Sequence, residues 1–272
     1  MRIVSSFVLA AAISQHAVAA PDVIPVELIN GLPFINVAVG AASTRAMFDS
    51  GGKLGISLPA AVIEKAGTVK VLDEKKKFKD IHGNVYEVPR LLAEKVIVGS
   101  TLLAPVAGQA HTTWGGAPEG PEAELTRARE GGAIGLEAFA NFPLLFDYKR
   151  RTMSILDAEQ AALLGTPEWR SLDLRYGGEG PVVTLVAGGK QLKFVLDTGA
   201  QVNLVKRGLA CNTAQACELR DISGSLMLDM KVYHTNLDGA PFDGILGAPF
   251  FRGHRVVFDV KGGKLYVAPN KA

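Results

Sequence analysis

The chain has 272 residues, of which 48% are hydrophobic and 7% aromatic, with 30 glycines and 14 prolines spread along it. This composition is typical of a folded globular protein with a sizeable core and argues against a disordered chain. The 29 basic and 27 acidic residues leave a formal net charge of +2, so composition gives no electrostatic footprint for nucleic-acid binding.

The first 19 residues are predicted to form a secretory signal peptide. Arg2 precedes an apolar run from Ile3 to Ile13, and the small residues Ala17-Val18-Ala19 predict cleavage near Ala19. This run is too short to span a bilayer, and no later segment approaches the ~18 consecutive apolar residues of a transmembrane helix. We therefore expect a periplasmic or secreted protein with no integral membrane segment after the signal is removed.

Beyond residue 19, the pattern predicts an all-β chain with a few short helices. Short runs rich in Val, Ile, Leu and Phe alternate with Gly, Asn and Pro, as in chains with many hairpins. One helix is predicted from Pro59 to Ala66, because it begins with proline and stops at Gly67. A second is predicted from Asp157 to Leu164, because it begins with an N-cap residue and stops before a glycine.

The chain contains an internal repeat. The sequence around Asp49-Ser50-Gly51 recurs around Asp197-Thr198-Gly199, 148 residues later. The aligned positions include Pro33 to Val37 with Pro181 to Leu185, and Gly40 with Gly188. Two later blocks recur in the same order: Lys79 to Asn84 with Arg220 to Ser225 at an offset of 141, and Ile134-Gly135 with Leu246-Gly247 at an offset of 112. A duplicated unit therefore supplies one aspartate from each half.

The falling offsets show that the second copy is shorter than the first. Most of the extra material in the first copy lies between Ser100 and Gly132, which we expect to be a long surface excursion. The expected organisation is a signal peptide (residues 1–19), an N-terminal lobe (residues 20–160) and a C-terminal lobe (residues 161–272).

The two cysteines, Cys211 and Cys217, are close together in the sequence. In an exported chain, an even count and a short spacing favour a disulfide that closes a small loop. Free buried thiols and a metal site are the alternatives, although no nearby His, Cys or Asp cluster has the spacing of metal ligands.

The paired aspartates suggest acid–base chemistry. If a pseudo-twofold axis brings Asp49 and Asp197 together, the two like charges cannot both ionise cheaply, and one proton is shared. The ionised member can then deprotonate a water molecule while the protonated member donates to a carbonyl oxygen.

These features resemble aspartic proteases of the retropepsin and pepsin kind over most of the chain beyond the signal. That family is identified by a hydrophobic pair followed by Asp-[Thr/Ser]-Gly, a later hydrophobic-hydrophobic-Gly segment and a β-hairpin flap between them. All three occur twice here. The tandem arrangement is similar to the bilobal pepsin plan built from retropepsin-sized halves, and it implies two similar closed-barrel-like β lobes related by a pseudo-twofold axis.

The resemblance implies a role for each matching residue. Asp49 and Asp197 are expected to be catalytic, as a dyad that shares one proton in the way known for this family. The residues expected to support the active-site loops are Ser50, Gly51, Thr198, Gly199, Gly135 and Gly247. The residues expected at flap tips, in contact with substrate, are Ile81, His82, Gly83, Ile222, Ser223 and Gly224.

Two departures from the family pattern affect the expected chemistry. The first flap tip has Ile81 where pepsin-like enzymes place a tyrosine, and is more similar to a retroviral flap. The residues after the two triplets are Gly52 and Ala200, where many acid-active members carry a hydroxyl. Because that hydroxyl would stabilise the ionised carboxylate, its loss should raise the apparent pKa values of the dyad. We therefore expect activity closer to neutral pH.

The expected function is that of an exported aspartic endopeptidase, which acts as a monomer on extended polypeptides and needs no cofactor or metal. The alternative is a noncatalytic peptide-binding pseudoprotease with the same cleft. Asp49-Ser50-Gly51-Gly52 is a looser form of the motif than Asp197-Thr198-Gly199-Ala200, and this difference keeps the alternative open.

Overall fold

The computed structural model describes residues 22–52, 55–79, 85–103, 105–112, 122–209, 216–221, 223–224 and 226–270. The predicted signal peptide lies outside these residues. Strands dominate the described chain, and none of its helices is long and apolar enough to cross a bilayer.

The strands of the first half are short and follow one another closely. In chain order they are β1 (Asp22–Pro25), β2 (Glu27–Ile29), β3 (Leu32–Val39), β4 (Ala42–Asp49), β5 (Ile56–Leu58), β6 (Val69–Lys79), β7 (Val85–Ala93), β8 (Val96–Val98), β9 (Thr101–Leu102), β10 (Val106–Ala110), β11 (Ala133–Gly135), β12 (Leu144–Asp147) and β13 (Thr152–Ile155).

The strands of the second half follow a similar order. They are β14 (Arg170–Asp173), β15 (Arg175–Gly177), β16 (Gly180–Ala187), β17 (Lys190–Leu196), β18 (Leu204–Lys206), β19 (Ala216–Arg220), β20 (Met227–Lys231), β21 (Tyr233–Thr235), β22 (Gly244–Leu246), β23 (His254–Asp259) and β24 (Lys264–Pro269).

The described helices are α1 (Ala60–Ala66), α2 (Glu122–Arg129), α3 (Ala158–Ala162) and α4 (Ala248–Gly253), with 3-10 turns at Leu136–Phe139 and Leu163–Gly165. Both predicted helices are confirmed. The first ends at Gly67, whose φ of 68° suits a glycine C-cap. The second begins at a capping box between Asp157 and Gln160.

The strands form three sheets. The first sheet has the order β6-β7-β10-β5-β11-β4-β3-β8-β9, with β2 added on β3. The second sheet has the order β20-β19-β16-β17-β22-β18-β21, with β15 added on β16. The shared sheet has the order β1-β13-β12-β23-β24-β14, three strands from each half of the chain. The fold is mainly β, with barrel-like sheets, as the sequence predicts.

The repeat is visible in the strand bounds. Adding 148 to the residue numbers of β1, β2, β3 and β5 gives those of β14, β15, β16 and β18. The pairing is repeated as well. In the first half β4 runs parallel to β11, which is antiparallel to β5, and in the second half β17 runs parallel to β22, which is antiparallel to β18. The two copies therefore share one local topology around their aspartates.

The segment from Ser100 to Gly132 corrects one prediction. Instead of forming only a surface excursion, it contributes β10 to the interior of the first sheet, antiparallel to β7 and parallel to β5. In the second half, β21 runs parallel to β18 in the same way, so β10 and β21 are a further pair of repeated strands. Their sequences, Val106–Ala110 and Tyr233–Thr235, share no residue pattern that would reveal the match.

An aromatic cluster packs beneath the point where the two halves meet. The ring of Phe48 lies 6.0 Å from that of Phe139 and 5.6 Å from that of Phe146, and the ring of Phe146 lies 5.6 Å from that of Phe251. All four are fully buried. Edge-to-face and tilted contacts of this kind add to the hydrophobic stabilisation. Because Phe48 immediately precedes Asp49, this core fixes the end of β4.

Candidate active site

Two loops, one from each copy of the repeat, meet between the first and second sheets. The first loop (Asp49–Gly52) follows β4, and the second loop (Asp197–Ala200) follows β17. Each strand end is held by a parallel neighbour. Asp49 is in register with Gly135 of β11, and the Asp197 N–H donates to the carbonyl of Leu246 in β22 at 2.9 Å. The predicted support glycines thus lie beside or directly after these strands.

Ser50 and Thr198 lock the two loops together with four hydrogen bonds. The Ser50 N–H donates to Thr198 Oγ1 at 2.9 Å, and the Thr198 N–H donates to Ser50 Oγ at 3.0 Å. The Ser50 hydroxyl donates to the Leu196 carbonyl at 2.8 Å, and the Thr198 hydroxyl donates to the Phe48 carbonyl at 2.7 Å. Each hydroxyl therefore donates once and accepts once, and neither polar group is left unpaired in the interior. Both residues are almost completely buried.

This bracing brings the two aspartates into direct contact, and their carboxyl groups are hydrogen-bonded to each other. The surrounding backbone also approaches closely. A Cβ atom at Gly51 would lie 2.6 Å from Asp197 Cγ, and one at Gly199 would lie 3.1 Å from an oxygen of each aspartate. The glycines of the two triplets are therefore required by the packing of the pair.

Backbone amides hold each carboxyl group in place. The Gly52 N–H donates to Asp49 Oδ1 at 2.9 Å, and the Gly199 N–H donates to Asp197 Oδ1 at 2.8 Å. Such bonds favour the ionised form of a carboxyl group. The loops therefore orient both carboxyl groups while leaving oxygens available to one another.

Burial raises the pKa of both carboxyl groups. For Asp49, burial is the largest effect, and it is opposed by the hydrogen bond from Asp197, by backbone amides and by the positive charge of Arg129. For Asp197, burial and the negative charge of Asp49 together raise the pKa to about 8. The pair therefore holds a proton near neutral pH, as expected for two carboxyl groups in a shared site.

A buried asparagine supports the second loop and was not predicted from the sequence. Asn203 accepts a hydrogen bond from the Gly247 N–H at 2.9 Å through Oδ1, and its Nδ2 donates to the Lys231 carbonyl at 3.1 Å. Its own carbonyl accepts from the Tyr233 N–H at 2.9 Å. The sequence contained one signal, because Asn203 is a polar residue directly before the apolar pair that begins β18. A buried amide needs hydrogen-bond partners of this kind.

Tyr176, in β15, is a second residue near the two aspartates that was not predicted from the sequence. It comes from the second half of the chain but lies against the first, where it hydrogen-bonds the backbone of Glu137. Burial and the charges of Glu137 and Asp49 raise the pKa of Tyr176 to about 12, so its hydroxyl stays protonated. The first copy of the repeated unit has Leu28 at the matching position, 148 residues earlier, so comparing the two copies does not predict a polar group here.

Most of the predicted flap tips lie outside the described residues, namely Ile81, His82, Gly83 and Ile222. The strands on either side of the first tip, β6 and β7, pair as a long hairpin. Ser223 and Gly224 are described and lie in a tight turn. The Gly224 N–H donates to the Asp221 carbonyl at 3.0 Å, with a φ of 74° at Gly224, and the Ser223 hydroxyl donates to the Asp221 carboxylate.

Cys217 lies in β19, is buried and is disulfide-bonded. The other cysteine of the chain, Cys211, lies outside the described residues. The predicted pairing of Cys217 with Cys211 stays a prediction.

The fold is similar to that of a solved protease. The chain matches the crystal structure of an aspartic proteinase from Irpex lacteus with a TM-score of 0.60 and 12% sequence identity, over 93% of this chain and 98% of that chain. No protein-family model and no curated protein sequence matches the chain. At this identity the likeness establishes the fold, which is that of the aspartic proteases, and leaves the activity to be argued from the site.

Proposed function

We propose that this protein is an aspartic endopeptidase in which Asp49 and Asp197 activate a water molecule that attacks a peptide bond. The observation that supports this most directly is the contact between the two carboxyl groups, each placed by its own copy of the repeat. A pair that shares one proton contains a general base and a general acid within reach of the same reacting group.

The proposed reaction uses one proton held by Asp197 and one negative charge on Asp49. The Asp49 carboxylate takes a proton from water as the water oxygen attacks the carbonyl carbon, while Asp197 donates its proton to the carbonyl oxygen. The tetrahedral intermediate then collapses. The proton taken by Asp49 passes to the amide nitrogen, the C–N bond breaks, and a hydroxyl proton of the intermediate returns to Asp197. The pair ends with one proton, as it began.

The assignment of the proton to Asp197 follows from the surroundings. Arg129 acts on Asp49 and favours its ionised form, whereas the charge of Asp49 favours the protonated form of Asp197. The raised pKa values support activity that extends to neutral pH rather than being confined to strong acid. Because the pair is coupled, the measured limbs of a pH–rate profile belong to the pair as a whole.

The substrate is proposed to be an extended polypeptide that lies between the two loops and under the β6–β7 hairpin. An extended chain can add to a hairpin through backbone hydrogen bonds, while pockets select its side chains. We further propose that the protein is exported after cleavage near Ala19, has two lobes that meet near residue 160, and acts as a monomer.

Cleavage of a diverse peptide mixture tests this proposal. The mature protein, Asp49→Asn and Asp197→Asn are incubated with the mixture across about pH 4 to about pH 8, a range that reaches the raised pKa of Asp197 of about 8, and products are identified by mass spectrometry. Each substitution should reduce cleavage by about 10²–10⁴-fold, the contribution that general acid–base catalysis makes for one group.

Asp259→Asn is the matched control, because Asp259 caps a turn by accepting from the Gly262 N–H at 2.7 Å and lies away from the two loops. It should leave cleavage unchanged. Cuts that persist in both dyad variants would contradict the proposal. A folded wild-type protein that binds peptides but cuts none would instead support the noncatalytic alternative.

A further inference from the structure

A hairpin of the second half reaches across to the first loop. β15 and β16 pair as a tight hairpin, with Gly177 opposite Gly180. Gly180 lies directly on the first loop, because a Cβ atom at this position would be 3.3 Å from the Gly51 carbonyl oxygen. The hairpin that carries Tyr176 therefore touches the loop that carries Asp49, although the two come from different halves of the chain.

The matching hairpin of the first half makes the reverse contact. Asn30 lies in the turn between β2 and β3, and its carbonyl accepts a hydrogen bond from Gln201 Nε2 at 2.7 Å. Gln201 directly follows the second loop. Each copy of the repeat thus contacts the loop region of the other copy, in addition to the hydrogen bonds between Ser50 and Thr198.

The hydroxyl of Tyr176 bonds to the turn that follows β11. Its contact with the backbone of Glu137 works against the rise in the pKa of Tyr176, as a donor to the hydroxyl oxygen does, so the Glu137 N–H is the donor. Glu137 is the second residue of the 3-10 turn Leu136–Phe139, and N–H groups in the first turn of a helix have no partner within the helix. Tyr176 supplies the acceptor that this N–H needs.

This turn is connected directly to the support of Asp49. Glu137 is two residues after Gly135, the end of β11, and Gly135 is in register with Asp49 in β4. The negative charge of Asp49 also acts on the Tyr176 hydroxyl, which agrees with their being neighbours. A shift of the 3-10 turn would therefore be passed through β11 to Asp49.

We propose that Tyr176 is a positioning residue for the aspartate pair, which holds Asp49 against Asp197 through the backbone of Glu137. The half-buried ring of Tyr176 packs against the main hydrophobic core, so the hydroxyl acts from a fixed base. The first copy of the repeat has Leu28 at the matching position, so this contact supports the first loop alone. The effect on turnover rests on the proposed function, whereas the effect on the aspartate pair does not.

A titration tests the inference without any substrate. The negative charge of Asp49 and its hydrogen bond to Asp197 both help to raise the pKa of Asp197 to about 8. Tyr176→Phe keeps the ring and removes the acceptor for the Glu137 N–H, so Asp49 should be held less closely and the pKa of Asp197 should fall below that value. Carboxyl ¹³C NMR of protein labelled at aspartate measures it, and Asp197→Asn identifies the signal. An unmoved pKa would overturn the inference.

Kinetics test the same contact in the proposed reaction. Tyr176→Phe should lower kcat about tenfold and leave KM nearly unchanged, since a 1 Å misplacement of a catalytic group costs on the order of 10²-fold in rate. The basic limb of the pH–rate profile should move to lower pH together with the pKa of Asp197. Tyr176→Leu, which copies the residue of the first half, should have at least as large an effect.

Tyr266→Phe is the matched control. Tyr266 is also half-buried, but it packs with Leu164 and Trp169 in a separate cluster on the shared sheet. Its loss of a hydroxyl should leave the pKa of Asp197, kcat and the basic limb unchanged.

The two experiments keep this inference apart from the endopeptidase proposal. A folded wild-type protein that cuts no peptide would overturn the endopeptidase proposal, and the titration would still decide the role of Tyr176. Cleavage by Tyr176→Phe with an unchanged kcat and an unmoved basic limb would overturn the inference alone. A raised KM with an unmoved pKa of Asp197 would also overturn it, because the hydroxyl would then act on substrate binding.

Discussion

The first and second loops have the same geometry but are supported by different chemistry. Six residues after Asp49 stands Gly55, and six residues after Asp197 stands Asn203. Gly55 supports its loop with a backbone carbonyl that accepts from Gly135. Asn203 supports the equivalent strand with its side chain, which bonds Gly247 and the carbonyl of Lys231 at once.

Packing explains the difference. A Cβ atom at Gly55 would lie 2.6 Å from Val106 Cγ1 and 2.7 Å from the Ala107 carbonyl oxygen, because β10 approaches closely at that point. In the second half, the space beside β18 is filled by the amide of Asn203, which is fully buried. A duplicated backbone can thus keep its geometry after its supporting contacts have diverged, so equivalent substitutions in the two halves should have unequal effects.

The largest expected effect on stability comes from Asn203→Ala. This change leaves the Gly247 N–H and the Lys231 carbonyl without their side-chain partner, and each buried unpaired group costs about 1–3 kcal/mol. We expect a loss of about 2–5 kcal/mol in the free energy of unfolding, measured by urea denaturation. Asn236→Ala, whose side chain caps an exposed turn, should cost much less. A loss below about 1 kcal/mol for Asn203→Ala would mean that the second loop needs no such support.

The hydrogen bonds between Ser50 and Thr198, which join the two loops, should give the next largest effect on stability. Ser50→Ala removes the acceptor of the Thr198 N–H, and Thr198→Val removes the acceptor of the Ser50 N–H. Each should lower the free energy of unfolding by about 1–3 kcal/mol. Thr198→Ser keeps the hydroxyl and is the control. If the two variants lose very different amounts of stability, the two residues contribute unequally although their hydrogen bonds have the same geometry. A double-mutant cycle would measure the coupling between them.

The titration of Asp197 should make stability depend on pH. Burial and Asp49 raise its pKa from 3.8 to about 8 in the folded state, so the folded protein binds a proton that the unfolded chain has released. This contribution to stability is complete below pH 3.8 and is lost as pH rises toward about 8.

Asp197→Asn should therefore raise the free energy of unfolding at neutral pH and weaken its decline from acid to neutral pH. Urea denaturation of the wild-type protein and the variant over that range would show it. The Asp259→Asn control should follow the wild-type curve. A variant less stable than the wild type at neutral pH would contradict the shared-proton description.

The smallest expected effect concerns Arg129, which acts on the first loop alone. Its charge opposes the effect of burial on Asp49, so Arg129→Gln should raise the pKa of Asp49 further. The acid limb of the pH–rate profile should move to higher pH, while Arg129→Lys keeps the charge and should move it less. Arg127→Gln, an exposed change on the same helix, should leave the limb in place. An unmoved limb in Arg129→Gln would show that Asp197 and the backbone amides alone set the ionisation of Asp49.

Local sequence was enough to predict the all-β fold class, both short helices and the position of the two Asp triplets within a repeat. These features depend on residues within one strand or turn, such as the proline and glycine that bound α1. The equivalence of β10 and β21 was missed because it depends on where a strand pairs and not on which residues it contains. Asn203 and Tyr176 were missed for a related reason, since their partners lie far away in the chain and the matching positions of the first copy are Gly55 and Leu28.

The shared sheet joins the two halves of the chain through the pairing of one strand from each half. Within this sheet the halves meet at the seam where β12 pairs with β23, with Leu144 opposite Phe258 and Phe146 opposite Val256. Either half made alone would expose this apolar strand as a free edge, which readily pairs with another strand. Two fragments divided between α3 and β14 would therefore carry complementary edges, and their reassembly would restore both the sheet and the paired aspartates. This pairing of strands makes the protein a candidate for a split reporter. In such a reporter, restoration of the buried aspartate pair would indicate that two fragments have bound each other.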